Sequence, residues 1–385
     1  MYIVYDYLEE SITIYQEVMI KILQVYPVMN NAGTEMVIMN LFQNIDASKV
    51  HFDFLVQDNG ERDNEIIQDG STIYKIPFKN KRQYYHDLIE FFHEHPEYAG
   101  VHTHTHGQMG IVLKAAKKCD IKLRIAHSHN ARQDLPKIAK LYKYLTSHDI
   151  EDNATDFFAC SKEAAKWLFP RKYRDFMFLP NGIEIDKFVY NQENRNEIRK
   201  EFGIGEQDLV VGHIGRLAKQ KNHDFIIDIA DNLREYKNIK FLCVGEGPLF
   251  DDLLNRIKEL RLQDKIILAG SRNDAYKFYS AFDLFILPSL HEGLGIVAIE
   301  AQTAGLQTIV SDGVPKAADC GLGLFKTLDI KKEDVKKWSK AILSQLESYN
   351  SLSRNKFYNQ IKESDYNIKF SAKKIEKFYL SKVED

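Results

Sequence analysis

Leu284-Phe-Ile-Leu-Pro-Ser-Leu-His-Glu-Gly-Leu-Gly-Ile-Val-Ala-Ile-Glu300 is the stretch that decides the fold of this chain. Its first four residues are apolar and predict a buried strand that ends at Pro288. A short loop, 289–295, carries two glycines, and a helix is predicted to begin after it. A strand, a glycine loop and a helix in this order are typical of parallel α/β sheets, and the free amides at such a helix start form an anion site.

Two glutamates stand in this unit, Glu292 in the loop and Glu300 in the helix. A carboxylate repels phosphate, so its presence is explained if both glutamates accept hydrogen bonds from hydroxyls that flank a diphosphate. One of them would bind a sugar and the other a ribose. The alternative is a pair of acids that only stabilise the positive end of the helix dipole.

A second cluster follows the predicted strand Leu209–Ile214. Gly215 is followed by Arg216 and, five residues later, by Lys221. Arginine offers a bidentate fork to phosphate oxygens and lysine a point charge, so the two can neutralise a leaving diphosphate. A solvated basic loop is the alternative.

Two further strand ends carry turn residues. The strand Ile239–Val244 is followed by Gly245, Glu246, Gly247 and Pro248, which we expect to contact or shape a nucleotide through the backbone. The dinucleotide fingerprint is absent, because Phe250 occupies its third glycine position. Arg272, after the strand Lys265–Ala269, touches a base in one interpretation and belongs to a plain turn in the other.

Short apolar runs alternate with amphipathic stretches along the whole chain, in two series. The first series of predicted strands is Ile20–Tyr26, His51–Val56, Leu123–Ala126 and Phe157–Cys160; the second begins at Leu209 and also includes Gln307–Ser311. This alternation predicts an α/β protein of two Rossmann-like, doubly wound domains that face each other across a cleft. The predicted divisions are an N-terminal extension (1–18), an N-terminal Rossmann-like domain (19–190), a linker region (191–208), a C-terminal Rossmann-like domain (209–365) and a closing C-terminal helix (366–385).

Composition excludes several classes of protein. The 385 residues are 44% hydrophobic and carry a net charge of −3, so binding of nucleic acid through the overall field is not expected. Four cysteines without CxxC spacing argue against a disulfide framework or a thiolate zinc site. No apolar run reaches the roughly 20 residues of a membrane span, and no signal peptide is recognisable. We therefore expect a cytoplasmic protein.

Histidines are concentrated in the first domain. His102, His104 and His106 alternate, so an extended chain would place them on one face, and His127 and His129 follow the next strand. We expect His129 to present a ring nitrogen to a substrate hydroxyl, with His104 on the same side of the cleft. Metal binding is the less favoured alternative, because neither a carboxylate nor a cysteine lies near them in the sequence.

The segment before the first helix holds Gly33 and Thr34. Gly33 permits close approach of a ligand, and the helix start can face an anion or sugar hydroxyls; a simple helix cap is the alternative.

A different feature is the basic stretch 112–147, where lysines interleave with apolar residues. Such a stretch can lie on an anionic membrane, at about 1 kcal/mol per cation, or form an ordinary solvated helix face.

Taken together, these residues resemble the retaining glycosyltransferases of the GT-B fold, family four, and among them the bacterial capsular or exopolysaccharide transferases. The resemblance runs from Met19 to near the C-terminus. Its most specific motif is E-x7-E, Glu292 to Glu300, preceded by LPSLHEG. The other matching motifs are GRL-x-x-x-K (215–221), VGEGP (244–248), LPNGI (179–183) and RIAHSHN (124–130).

The resemblance implies a transfer from a nucleotide-diphosphate sugar, most often a UDP-sugar, to a glycan or lipid-linked acceptor, at the inner face of the cell membrane. It implies that Arg216 and Lys221 hold the diphosphate, near the amides of Gly293, Leu294 and Gly295. Glu300 would then hold the ribose and Glu292 the donor sugar. The resemblance also implies that the N-terminal domain (19–190) binds the acceptor and that the C-terminal domain (209–365) binds the nucleotide sugar. His129 and Gly33 would lie near the reacting centre, and no metal or other cofactor is expected.

Two other functions remain open at this stage. A nucleotide-sugar epimerase can share the two-domain architecture, although the E-x7-E motif argues against it. A non-catalytic subunit of a polysaccharide assembly complex would be favoured if the nucleotide-binding residues were missing, and they are present.

Overall fold

The computed structural model describes residues 19–30, 33–105, 107–129, 146–347 and 351–383. The N-terminal extension, His106 and residues 130–145 of the basic stretch 112–147 therefore lie outside the described residues. Among the helices within these ranges, none combines the length and the apolar character that crossing a bilayer requires.

The first sheet has seven parallel strands in the order β3-β2-β1-β4-β5-β6-β7. Its strands are β1 (Ile20–Val25), β2 (Val50–Val56), β3 (Ile73–Lys75), β4 (Tyr98–Thr103), β5 (Leu123–Ser128), β6 (Asp156–Ala159) and β7 (Met177–Phe178). β1 is buried along nearly its whole length, as expected for a central strand covered on both faces.

The second sheet repeats this order with six parallel strands, β10-β9-β8-β11-β12-β13. They are β8 (Leu209–Ile214), β9 (Ile239–Val244), β10 (Ile266–Leu268), β11 (Leu284–Leu287), β12 (Thr308–Ser311) and β13 (Phe325–Leu328). The predicted bounds of β8, β9 and β11 are confirmed to the residue, because each is a mainly apolar run bounded by polar, glycine or proline residues.

Helices cover both faces of each sheet. They are α1 (Gly33–Asn44), α2 (Asp63–Gln68), α3 (Lys81–Glu94), α4 (Met109–Lys118), α5 (Lys162–Leu168), α6 (Ile185–Phe188), α7 (Gln192–Glu201), α8 (His223–Asn232), α9 (Phe250–Glu259), α10 (Ala275–Ala281), α11 (Ile296–Thr303), α12 (Val335–Glu347), α13 (Tyr358–Lys362) and α14 (Ile368–Val383). The predicted fold class, two doubly wound α/β domains, is confirmed.

Both sheets reverse their strand order at the same place, between β1 and β4 and between β8 and β11. Ligands of doubly wound sheets bind at this switch point, beyond the carboxyl ends of the strands. The loops that follow these four strands therefore determine what the cleft between the domains can bind.

The chain crosses between the domains twice, and the second crossing returns α14 to the first domain. Ile183 and Asn367 run side by side, and the amide of Ile183 donates to the carbonyl of Tyr366 at 2.8 Å. α14 then packs beside α1 and buries Ile375 and Tyr379 in the core below β2. The predicted closing helix thus belongs to the first domain by its contacts, although it follows the second domain in sequence.

The polar stretch 191–208, which we predicted as a linker region with a short helix, contains α7. The Asn191 side chain caps this helix by accepting from the amide of Asn194. Arg195 and Arg199 then bind the buried carboxylate of Asp283, at 2.7 and 3.2 Å. Because Asp283 immediately precedes β11, these ion pairs fasten the stretch to the second domain.

Candidate active site

A cavity of about 450 Å³ lies between the two domains at their switch points. Its lining from the first domain is Tyr26, Gly33, Thr34, Glu35, His129 and Asn181; its lining from the second is Lys221, Glu292, Gly293, Leu294, Gly295, Ile296 and Val297. The predicted residues Gly33, Thr34, His129, Lys221 and Glu292 thus come together across almost 260 residues of sequence.

The loop between β11 and α11 presents backbone donors to this cavity. Gly295 adopts a φ of +84°, a conformation that suits glycine, and begins α11. Among the described residues, the amides of Gly293, Leu294 and Gly295 donate to no carbonyl. The loop is held from below, because the amide of Glu292 donates to the carbonyl of Gly313 at 2.9 Å. Free amides at a helix N-terminus are groups that favour an anion, so the anion site predicted from the sequence stays a prediction that this geometry allows.

Lys221 and Glu292 form an ion pair inside the cavity. Lys221 Nζ lies 2.6 Å from Glu292 Oε1, and the hydroxyl of Ser289 donates to the same oxygen at 2.6 Å. Both charged side chains are largely buried. The pair holds the Lys221 ammonium beside the free amides of the loop, so a diphosphate bound there would meet a cation and several N–H groups together.

Glu300 lies one and a half turns into α11, where its carboxylate accepts a hydrogen bond from the hydroxyl of Tyr279. Burial raises the pKa of Glu300 to about 7, although the Tyr279 hydrogen bond and the charge of Lys221 act in the opposite direction. The carboxyl group is therefore poised between its two protonation states near neutral pH. The sequence contained no signal for Tyr279, which precedes Glu300 by 21 residues.

The glycines of the 244–248 turn are required by contact between two loops. A Cβ on Gly245 would lie 2.1 Å from the carbonyl oxygen of Gly215, and one on Gly247 would lie 2.4 Å from that of Leu217. The amide of Leu217 also donates to the carbonyl of Glu246 at 2.9 Å. The turn therefore supports the loop that carries Arg216 and Lys221, while Glu246 and Pro248 remain exposed.

The two predicted arginines differ in what they contact. Arg216 is exposed at the end of β8, and its guanidinium forms no ion pair with the residues that the structure describes. Arg272 is already bound to Glu201 and Asp274, with Nε 2.8 Å from Asp274 Oδ1, and its guanidinium lies over the ring of Phe278. Neither arginine is among the residues that line the cavity, so contact of Arg216 with a diphosphate stays a prediction.

Four of the predicted histidines form a buried stack behind the cavity. The ring centroids of His127 and His129 are 3.9 Å apart, and those of His102 and His104 are 4.3 Å apart. His104 is hydrogen-bonded to His129 at 2.7 Å and, through Nε2, to Gln24 at 2.8 Å. His104 therefore acts behind His129 rather than as a lining residue.

The stack also bears on the metal alternative. His102, His104 and His127 have ring nitrogens within 4.8 Å of one another. His102 uses both nitrogens, one toward Tyr379 at 2.6 Å and one toward His127 at 3.1 Å. Burial holds the pKa of His102 and His127 well below the usual range, so both rings are neutral. The arrangement is that of neutral imidazoles hydrogen-bonded in series.

Tyr26, Glu35 and Asn181 line the cavity and were not among the predicted site residues. Glu35 directly follows the predicted pair Gly33 and Thr34, so a search for polar residues in the first turn of α1 could have found it. Asn181 belongs to the LPNGI motif, whose position before the domain crossing was the available signal. Neither position follows from hydrophobic patterning.

The chain is similar to known glycosyltransferases in both sequence and structure. Residues 194–364 match the family described as Glycosyl transferases group 1. The chain is 31% identical, over 334 residues, to the putative glycosyltransferase EpsF of Bacillus subtilis (strain 168), covering 84% of this chain and 86% of that one. It is 30% identical, over 230 residues, to an Escherichia coli UDP-Gal:alpha-D-GlcNAc-diphosphoundecaprenol alpha-1,3-galactosyltransferase, covering 56% and 58% of the two chains.

Solved structures show the same fold. HepE (Alr3699) of Anabaena, in complex with UDP, superposes with a TM-score of 0.80 over 94% of this chain and all of that one, at 15% identity. WaaG, a glycosyltransferase involved in lipopolysaccharide biosynthesis, gives a TM-score of 0.65 at 18% identity, with 93% and 99% coverage. The architecture is that of GT-B glycosyltransferases. Because the similarity to the Bacillus protein extends through both domains and the cleft between them, this chain belongs to the group 1 glycosyl transferases.

Proposed function

We propose that this protein is a retaining glycosyltransferase that moves a hexosyl or N-acetylhexosaminyl group from a UDP-sugar to a glycan or lipid-linked acceptor. The pathway would be capsular, exopolysaccharide or related cell-surface glycan synthesis. The observation that carries the proposal is the Lys221–Glu292 pair beside the free amides of Gly293–Gly295. A cation and aligned N–H groups there suit a diphosphate, and a carboxylate beside them suits the hydroxyls of its sugar.

UDP is the proposed nucleotide of the donor because two similar proteins are described with UDP or a UDP-sugar. The Anabaena HepE structure contains UDP, and the Escherichia coli relative is named for transfer from UDP-Gal. In this chain Glu300 would accept hydrogen bonds from the ribose hydroxyls. Its distance of eight residues from Glu292 along the chain allows the two carboxylates to bind the two ends of one nucleotide sugar.

The proposed reaction breaks the bond between the anomeric carbon and the diphosphate oxygen and forms a bond from that carbon to the acceptor oxygen. The acceptor hydroxyl proton passes to the departing phosphate oxygen, so no protein nucleophile is needed. Lys221, Arg216 and the loop amides stabilise the charge that develops on the leaving group. His129 would hold a substrate hydroxyl from the first domain.

We propose that these groups take the place of a metal ion, because a lysine, an arginine and a helix N-terminus already supply positive potential at the diphosphate. The expected result is full activity in the presence of EDTA. An activity that disappears with EDTA and returns with Mg²⁺ or Mn²⁺ would contradict this part of the proposal.

Thermal unfolding in the presence of UDP, GDP, ADP and dTDP tests the proposal directly. A ligand at 100 times its dissociation constant stabilises the folded state by about 2.7 kcal/mol. UDP should raise the melting temperature more than the other three nucleotides, and Glu292→Ala should abolish sugar transfer. Equal shifts with all four, or none, would count against a UDP-sugar donor. NMR of the transferred anomeric centre would then establish whether its configuration is retained.

Contact with a membrane surface is a separate proposal, carried by the sequence of the basic stretch 112–147. Replacing Lys137, Lys140 and Lys143 with Glu should weaken sedimentation with vesicles that contain anionic phosphatidylglycerol. Unchanged sedimentation would remove this stretch from membrane binding.

A further inference from the structure

The first-domain half of the cavity is lined by hydrogen-bond acceptors rather than by cations. Among its described lining residues none is a lysine or an arginine. Glu35 is the charged residue of this half, and only 7% of its surface is exposed. Within the described part of the chain, Glu35 takes part in no ion pair, whereas Glu292 on the opposite side is paired with Lys221.

Glu35 is fixed in the first turn of α1 by its neighbours. Tyr26, at the end of β1, hydrogen-bonds to Glu35 and to Thr34. Burial and the charge of Glu35 raise the pKa of Tyr26 to about 12, so its hydroxyl keeps its proton and donates to the carboxylate. A carboxylate has about four lone-pair positions, and one donor from Tyr26 leaves the others available to a ligand.

Asn181 supplies a second, independent sign of a ligand in this half. It lines the same cavity and is 6% exposed, and its amide oxygen has no hydrogen-bond donor among the described residues. A buried amide oxygen without a donor is unfavourable, and a bound molecule that brings O–H groups removes that cost.

These groups decide the chemistry of the molecule that binds. A phosphate has only acceptor oxygens and negative charge, so Glu35 would repel it. A sugar presents several hydroxyl donors on one ring and no charge. We propose that Glu35 and Asn181 form the subsite for the receiving sugar, so that the acceptor ends in an uncharged, hydroxyl-rich monosaccharide whose hydroxyls donate to both side chains. This inference rests on the proposed glycosyltransferase function.

The test measures UDP release from UDP-glucose and UDP-galactose, with water or with added acceptors. The acceptors are octyl glycosides of glucose, galactose and N-acetylglucosamine, with octyl phosphate as the charged probe. The variants are Glu35→Gln, which removes charge at constant shape, and Tyr26→Phe, which removes only the donor to Glu35. Glu90→Gln, an exposed carboxylate on α3, is the matched control.

At least one glycoside should stimulate the wild-type enzyme, and octyl phosphate should not. Glu35→Gln should raise the KM for that glycoside at least tenfold, while the Kd for UDP and the rate of hydrolysis by water change less than twofold. Tyr26→Phe should raise the same KM about threefold, and Glu90→Gln should leave it unchanged.

Other outcomes separate this inference from the proposed function. If the wild-type enzyme neither binds UDP nor releases it, the proposed function fails. If transfer occurs and Glu35→Gln keeps the wild-type KM, or weakens UDP binding instead, the subsite is wrong while the function stands. A melting temperature lowered in Glu35→Gln with an unchanged KM would assign Glu35 to the stability of α1. Stimulation by octyl phosphate alone, or by no glycoside while UDP binds, would also overturn the subsite.

Discussion

The two halves of the cleft have the same strand order but opposite hydrogen-bonding character. The second domain contributes the Lys221 ammonium and the amides of Gly293, Leu294 and Gly295, which are hydrogen-bond donors. The first domain contributes Glu35, Asn181 and His129, and none of its described lining residues is a lysine or an arginine. The sheets place both sets at equivalent switch points, so the chemistry is decided by the loops and not by the fold.

This difference has a direct consequence for binding. Under the proposed function, the second-domain half meets the diphosphate of the nucleotide sugar. The first-domain half meets the hydroxyls of the receiving sugar. The charge on each side of the cleft can therefore be changed separately by mutation. The following variants are ordered by the size of the expected effect.

Lys221→Ala should have the largest effect on activity. It removes the cation beside the leaving diphosphate, and loss of one such transition-state contact lowers kcat by about 100- to 1,000-fold. It also leaves Glu292 buried without its partner. Lys219→Ala is the matched control, because Lys219 lies exposed on the same turn. The activity of both variants is measured as the initial rate of UDP release. A Lys221→Ala rate within threefold of the wild-type rate would refute the assignment of Lys221 to the diphosphate.

Gly245→Ala should have the next largest effect, on stability. The added Cβ would lie 2.1 Å from the carbonyl oxygen of Gly215, at a φ of +138°. We expect a loss of about 2–4 kcal/mol in the free energy of unfolding. Gly270→Ala is the control, because its φ is also positive but no atom lies within 4 Å, so about 1 kcal/mol is expected. Urea unfolding of both variants separates the effect of the contact with Gly215 from that of backbone strain. Equal losses of unfolding free energy in the two variants would show that the contact contributes nothing.

The residues on the second-domain side of the cleft could be predicted largely from sequence, whereas those on the first-domain side could not. In the donor half, Glu292, Lys221 and the glycines stand in short motifs directly after apolar strands, so local pattern alone brings them to one sheet edge. Glu35 and Asn181 are 146 residues apart and meet only because the chain crosses between domains next to β7. Strands β3, β4, β7 and β13 were also missed. β3 and β7 are only three and two residues long, and polar or small residues interrupt the apolar pattern of β4 and β13.

The histidines illustrate the same limit. Alternation correctly predicted a shared face for His102 and His104, but tertiary packing decided their roles. His102 meets Tyr379 of α14, a helix 277 residues away in sequence, and His104 meets Gln24 of β1. Such contacts leave no local signal, whereas a strand end followed by glycine does.

Glu300 provides a pH-dependent test of the donor half. Its pKa of about 7 lies above the usual 4.5, so the stability gained from the neutral carboxyl is complete below about pH 4.5 and is lost as the pH rises to 7. Ribose hydroxyls donate to the ionised form, so UDP binding should release a proton near pH 7. The Kd for UDP should fall up to about tenfold between pH 6 and pH 8.

Calorimetry in buffers of different ionisation enthalpy measures this proton release. Glu300→Gln should retain only the pH dependence of the UDP phosphate itself. Tyr279→Phe should move the midpoint to higher pH, because the lost hydrogen bond favours the ionised carboxyl. A wild-type profile identical to that of Glu300→Gln would mean that Glu300 does not meet the nucleotide.

Tyr379→Phe should have the smallest effect and reports on the acceptor half. The variant removes the hydroxyl that meets His102 in the buried stack, at a cost of about 1 kcal/mol in unfolding free energy. Because His129 belongs to the same stack, the KM for the acceptor should rise by a small factor while the Kd for UDP stays constant. Tyr358→Phe, which loses a hydrogen bond to Asp186 near the surface, is the control and should change neither. If Tyr379→Phe weakened UDP binding as much as acceptor binding, the two halves would not be separable, and the division of the cleft into a donor-rich and an acceptor-rich side would have no functional meaning.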